Sequence, residues 1–256
     1  MKDGGKTGFK KKEWEIYAKS YDALNHLIPY RELQKRISRE LGSLSGKKIL
    51  EAACGTGNLT EIMLKQNRKN NFQIWAIDYS EEMLKIAKQK CQDGRIHFSR
   101  TNLNEKMPFA DNFFDKIVSV NTLYATRSPE FVLKEFFRVL KSGGRLILET
   151  PKMGYENGLI LKAHCGSPKP DEYWLDAHSS AERERRLISE AFGFGELSEQ
   201  IMAVAECNRL ISKNVKFNFF RKDELETLLK KAGFSIIKIS FVYAEQGILA
   251  VAKKGG

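Results

Sequence analysis

The stretch KILEAACGTGN, residues 48–58, decides the fold. Lys48 to Ala53 reads as a short apolar strand that breaks into Gly55-Thr56-Gly57, and the chain turns amphipathic from Leu59. Two glycines let a backbone turn tightly and let a ligand approach the peptide groups. A plain strand-to-helix turn would have the same outline. Loops of this kind also hold dinucleotides, and two residues argue against that use. A dinucleotide fingerprint places a third glycine at position 60, for close helix–strand packing, where this chain has Thr60. Glu51, four residues before the first glycine, would repel a pyrophosphate and attract an ammonium group, directly or through water.

Outward from the loop the pattern alternates. Leu59 to Gln66 is expected as a helix, Phe72 to Asp78 as a second strand. Ser80 is the expected N-cap of the next helix, which has Glu81 and Glu82 in its first turn and runs to about Gln92. Ile96 to Arg100 and Lys116 to Asn121 are the third and fourth strands. Ser128-Pro129-Glu130 opens a helix that Gly143-Gly144 is expected to end. Arg145 to Thr150 is the fifth strand. Lys222 to Lys231 is a helix stopped by Gly233, and Ser235 to Tyr243 with Gly247 to Lys253 form a closing hairpin. Alternating strands and helices imply an α/β fold: a mostly parallel sheet, helices on both faces, and an antiparallel terminal pair.

Two regions depart from this rhythm. Residues 13–46 precede the first strand, with Trp14 to Leu41 expected helical and Leu33, Ile37 and Leu41 as one stripe. Residues 152–218 form an insertion far longer than a usual connection. It is expected to contain a turn-rich stretch from Gly166 to Asp171 and helices across 178–191 and 196–212. Insertions at this end of a sheet are commonly lids or binding elements. Residues 1–12, rich in Gly and Lys, read as a disordered tail, and 13–256 as one domain.

Asp78 follows Gly57 by 21 residues. Alone it is an ordinary helix-entry acid; beside a glycine loop it can accept hydrogen bonds from both hydroxyls of a ribose. Tyr79 and Met83 would then lie near an adenine, although Met83 equally suits a helix core. A ligand with a ribose, positive charge and no phosphate matches S-adenosylmethionine, which carries an ammonium and a sulfonium.

Bulk properties narrow the class. No apolar run approaches the roughly 20 residues of a membrane span. Cys54, Cys91, Cys165 and Cys207 form no CxxC pair and have no histidine at ligand spacing, so neither a metal site nor a disulfide framework is expected, and a reducing cytoplasm fits. The net charge of +11 would suit a nucleic-acid partner, but it is spread among glutamates and is not the favoured reading. The sequence carries no signal for oligomeric state.

Four segments together resemble class I S-adenosylmethionine-dependent methyltransferases, especially the branch that includes ubiquinone and menaquinone biosynthesis methyltransferases: ILEAACGTG (49–57), IDYS (77–80), MPFADNFFD (107–115) and FRVLKSGGR (137–145). The resemblance covers roughly residues 14–151 and 216–253. It implies a Rossmann-like seven-stranded sheet of order 3-2-1-4-5-7-6. It implies that Gly55 and Gly57 line the methionine part of the donor and that Asp78 binds ribose. Asn102 stands where the family usually has an aspartate contacting the adenine amino group; its side-chain oxygen can accept the same bond, and Leu103 is an equally good neighbour. Asn121 would face the methyl-transfer site or serve as a strand-end cap. The segment YAKSYD (17–22) resembles the family's entry helix, so Tyr21 would reach the donor carboxylate or merely pack.

Methyl transfer from a sulfonium is an in-line displacement, and alignment is most of the catalysis. A general base is optional, and His164, His178 and Tyr124 are the candidates. No Pro-Pro-aromatic motif follows Asn121, no Pro-Cys pair exists, and the fourth strand does not end in aspartate. These absences disfavour adenine or amide methylation, cytosine methylation and magnesium-dependent catechol chemistry. A small organic acceptor is the leading expectation, under a roof drawn from Tyr155, Leu159, Ile160, Tyr173, Trp174, Phe192, Phe194 and Met202, residues that would equally form the insertion's own core. RNA or protein methylation, a non-catalytic donor-binding protein and a nicotinamide dehydrogenase are the competing readings.

Overall fold

The computed structural model describes residues 11–166, 180–214 and 217–255. Helices α1 (Lys11–Tyr21) and α2 (Ile28–Leu41) flank a short 3₁₀ turn, Asp22–His26. The sheet region follows: β1 (Lys48–Ala52), α3 (Asn58–Gln66), β2 (Gln73–Asp78), α4 (Glu81–Lys90), β3 (Ile96–Arg100), β4 (Phe114–Val120), α5 (Pro129–Val139) and β5 (Leu140–Pro151). The insertion contributes α6 (Asn157–His164), α7 (Ser180–Phe192) and α8 (Glu196–Asn214), and the chain closes with α9 (Lys222–Lys231), β6 (Phe234–Val242) and β7 (Gly247–Lys254).

The seven strands lie in the order β3-β2-β1-β4-β5-β7-β6, as the resemblance implied. The first five are parallel, and β7 runs antiparallel to both neighbours. Side chains alternate across the sheet with period two. Ile49, Ile147 and Leu249 enter the core beneath α2 and the insertion. Leu50, Leu148 and Ile248 enter the opposite core, against Phe136 of α5 and Leu225 and Leu229 of α9. The stripe Leu33, Ile37 and Leu41 is buried as expected, and Ser80 and Ser128 cap α4 and α5 through their hydroxyls.

Three expectations need correction. Helix α5 ends at Val139, not at Gly143-Gly144, because Leu140 already pairs with Phe114 of β4. The glycines lie inside β5 beside a register shift: Gly143 has φ +76°, and a Cβ on Gly144 would sit 2.8 Å from the Leu140 side chain. Helix α6 was not foreseen. Lys11 and Lys12, assigned to the tail, already belong to α1, while residues 1–10 lie outside the described residues.

Of the six non-glycine residues in the left-handed region among the described residues, all but Asn112, which precedes β4, gather at the carboxyl edge of the sheet. Ala53 follows β1, Asn121 follows β4, and Tyr243, Ala244 and Glu245 form the β6–β7 turn. Each such residue costs on the order of 1 kcal/mol. Gln246, buried behind that turn, secures it: its side chain donates to the Ala244 carbonyl and accepts from the Glu156 amide.

Candidate active site

The glycine loop delivers its acids to one place. Asp78 ends β2, and the backbone amides of Gly55 and Ser80 donate to its two oxygens, each at 2.8 Å. A carboxylate offers about four acceptor sites, so this arrangement leaves one per oxygen, the number a ribose diol needs. Burial raises the Asp78 carboxyl above the usual range against those amides. Glu51 is buried beside it and accepts from the Thr60 hydroxyl. Burial pushes Glu51 up to about 8, opposed by Thr60 and helped by the Asp78 charge. Among the described residues neither acid is paired with a lysine or arginine. Two neighbouring carboxyls without a cation suit a positively charged ligand, and the residues present therefore fit the ammonium and ribose of S-adenosylmethionine.

Gly55, at φ +56°, turns its bare face toward Tyr21, whose Cε1 would lie 3.8 Å from a Cβ there. Gly57 does a different job. At φ +79° it lies against α4, where a Cβ would meet Ala87 at 3.2 Å and the Cys91 sulfur at 3.3 Å. The close helix packing that a dinucleotide loop assigns to its third glycine is done here by the second, which frees position 60 for the hydroxyl that holds Glu51.

The entry segment is fastened over this loop. Asp22 accepts from the Thr56 hydroxyl at 2.6 Å and pairs with Lys90 of α4 at 2.6 Å. Tyr17 and Tyr21 meet edge to face at 5.3 Å, and Tyr30 lies 6.4 Å from Tyr21. Tyr21 is the shared wall between a void of about 40 Å³ against Glu51 and Gly55 and a larger chamber of about 460 Å³.

That chamber lies between the carboxyl edge of the sheet and the insertion. One wall is aromatic: Tyr155 stacks on Phe219 at 6.3 Å, and Tyr124 stacks on Phe219 at 5.7 Å and tilts against Phe217 at 4.7 Å. Aliphatic lining comes from Leu24, Leu27, Ile160, Ile188, Ile201 and Val204. Polar groups stand at the insertion side, where Glu184 pairs with Arg209 and Tyr17 donates to Asn208 at 3.0 Å.

The remaining predicted residues divide. Asn121 and Tyr124 line the chamber, and burial together with the Glu149 charge pushes Tyr124 up to about 12. Met83 and Leu103 are buried, the latter with Ile77 and Met107. Tyr79 is 60% exposed under the Arg100 guanidinium. The Asn102 oxygen already accepts two bonds from Asn104, 3.1 Å each, and its amide nitrogen donates to Glu105. His164 is not among the chamber's lining residues. Its Nδ1 accepts the Ile28 amide at the start of α2, 3.2 Å away, and its ring stacks on Phe192, so this histidine caps a helix. His178, Tyr173, Trp174 and most of the Gly166–Asp171 stretch lie outside the described residues. Of the expected roof, Tyr155 and Ile160 line the chamber, while Phe194 is 96% exposed. Phe217 and Phe219 were missed. Their only signal was the alternation FNFF at 217–220, just past the insertion.

A sheet of this order with a glycine loop, a ribose-type acid and an acidic loop base defines the class I S-adenosylmethionine-dependent methyltransferases. Residues 50–148 match the methyltransferase domain family. The chain is 32% identical over 254 residues to a ubiquinone/menaquinone biosynthesis C-methyltransferase of Photorhabdus laumondii, covering 96% of this chain and 90% of that one. It is 28% identical over 239 residues to a demethylmenaquinone methyltransferase of Staphylococcus saprophyticus, covering 86% and 84%. A solved S-adenosylmethionine-dependent methyltransferase of Aquifex aeolicus shares the fold, with a TM-score of 0.58 at 17% identity over 95% of this chain and 98% of that one. The chain belongs to the S-adenosylmethionine-dependent methyltransferase family that includes these quinone-biosynthesis enzymes, and it uses S-adenosylmethionine as methyl donor. Among the described residues no helix is long and apolar enough to cross a membrane.

Proposed function

We propose that this methyltransferase acts on a small organic acceptor with a planar ring, of the quinol class, held in the chamber beneath the insertion. The observation that carries the reading is the aromatic cluster of Tyr124, Tyr155, Phe217 and Phe219, with aliphatic residues, lining a chamber that adjoins the glycine loop at Tyr21. Offset aromatic stacking and apolar burial would bind a ring and its substituents. A chamber of about 460 Å³ with many aromatic and aliphatic lining residues suits a small ring better than a nucleic acid or a protein chain. The named relatives act on quinone precursors, which supports the same class.

S-adenosylmethionine supplies the methyl group on a sulfonium, a good leaving group. The protein's share is alignment: Asp78 and Glu51 hold the donor's ribose and ammonium ends, Tyr21 separates the two spaces, and the aromatic wall orients the acceptor ring. The insertion, 152–218, serves as the lid over the acceptor. Anaerobic incubation with S-adenosylmethionine and a short-chain demethylmenaquinol tests this, with mass spectrometry of the product. A methylated ring supports the proposal. Methylation of RNA or a protein substrate, with none of the quinol, overturns it.

A further inference from the structure

Glu149 sits in β5 with its carboxyl 0% exposed. It belongs to the face that carries Ile147 below it and, two residues on, Pro151 of the chamber wall. One oxygen, Oε2, accepts the Asn121 amide at 3.1 Å, and the Glu149 carbonyl accepts the same amide at 3.2 Å. Among the described residues no donor reaches the other oxygen, Oε1. That oxygen occupies the space where the neighbouring strand lacks a side chain: a Cβ on Gly247 would lie 2.2 Å from it. Gly247 does not have a left-handed φ, so the carboxyl, not the backbone, explains the glycine.

An isolated buried carboxyl is expensive and adds little to stability. Here it grips a strained turn. Asn121 has φ +51°, and the chain beyond it turns through Leu123–Ala125, which carries Tyr124 to the chamber wall. From the far side Asn218 holds the same turn, its amide donating to the Tyr124 carbonyl at 2.7 Å and its side chain to the Thr126 carbonyl at 2.7 Å.

The geometry points to Glu149 as a positioning residue for methyl transfer, clamping the turn after β4 so that Asn121 and Tyr124 face the reacting groups. This inference rests on the chamber being the acceptor site. Burial holds the Glu149 carboxyl at about 8, so the neutral form is the resident one near neutrality. The titratable groups facing it are Tyr124, Tyr155 and Tyr243, from the segments after β4, β5 and β6. Its charge raises all three.

The test compares wild type with Glu149→Leu, Glu149→Gln and Gly247→Ala, all as whole protein with S-adenosylhomocysteine bound. Hydrogen exchange over the segment 119–127 is read at about pH 7 and about pH 9, corrected for intrinsic rates. The leucine variant keeps the volume and removes a costly group, so it folds; exchange in this segment rises at least about tenfold. Gly247→Ala displaces the carboxyl and does the same. Opening exposes the carboxyl to water, so wild type loses protection as pH rises toward about 8 despite the Asn121 bond; glutamine retains an acceptor for Asn121 and cannot ionise, so it restores protection and abolishes that loss. With the quinol probe, kcat falls at least about tenfold in Glu149→Leu while the donor KM stays within about threefold, and glutamine recovers most of the kcat. Unchanged exchange in Glu149→Leu, or no rescue by glutamine, overturns the inference. If wild type does not methylate the quinol, the acceptor proposal falls, and the exchange data alone decide the role of Glu149.

Discussion

The proposed donor side and the proposed acceptor side of this site are built in opposite ways. The donor side comes from two adjacent strand ends, β1 and β2, and the loops that leave them. Its parts are polar, its acids are held by backbone amides and a threonine, and its spacing is compact in sequence. The acceptor side takes Tyr21 and Leu24 from the entry segment, Tyr124 from the turn after β4, Tyr155 and Ile188 from the insertion and Phe219 from just beyond it. Hydrogen bonds with fixed directions tie a function to particular residues. Apolar packing specifies only shape, and many residue sets can give it.

Substitutions should therefore separate the two sides. The largest effect is expected from Asp78→Ala, which removes both ribose acceptors; affinity for S-adenosylhomocysteine falls at least about tenfold, or about 1.4 kcal/mol. Unchanged affinity by calorimetry in folded protein would erase the distinction. Next comes Phe219→Ala, which opens the aromatic wall. The acceptor KM rises about fivefold and donor affinity does not move, because Phe219 does not line the void against Glu51 and Gly55.

A third comparison uses protons. Glu51 titrates at about 8 in the donor-free protein, so it binds a proton between its unfolded pKa and that value. Its contribution to stability is full below the ordinary carboxylate range and is lost as pH rises toward 8. A cationic donor end reverses the preference and expels the proton. Donor affinity should then rise from about pH 6.5 to about pH 8, and Glu51→Gln should flatten that rise. Calorimetry in two buffers of different ionisation enthalpy measures the released proton directly; no release would exclude Glu51 from the ammonium site. The smallest effect belongs to His164→Ala. Turnover should change less than about twofold, with a loss of about 1 kcal/mol in thermal stability for the helix cap. A pH-dependent collapse of turnover would return the histidine to the catalytic candidates.

The same contrast explains what could be read from the chain. The cap at Ser80 and the turn at Gly55 and Gly57 were legible because caps and tight turns require particular residue types at fixed offsets. The strands were legible from apolar runs. The end of α5 was misread because two glycines after a helix normally stop it, whereas here the pairing of Leu140 with Phe114 takes over earlier. Nothing in the strand Arg145 to Thr150 marks Glu149 as more than one acid near its end; only the neighbouring strand's Gly247 reveals what the carboxyl occupies. His164 was singled out for its chemistry, and nothing local in the sequence discloses that Ile28, 136 residues away, uses its lone pair. Phe217 and Phe219 belong to a wall completed by Tyr124 and Tyr155, contacts that span the insertion.

The covering of the site has one further consequence. The entry segment is tied to the insertion by Tyr17 with Asn208 and by Ile28 with His164, and to the sheet's loop by Asp22 with Thr56 and Lys90. The two covers share one interface, although five of the seven strands, β1 to β5, separate them in sequence. A graft of residues 152–218 onto another sheet of this class would arrive without the Tyr17 and Ile28 partners of Asn208 and His164. If the chamber is the acceptor site as proposed, its specificity depends on both distant segments, and a change of substrate preference would require both to be altered together.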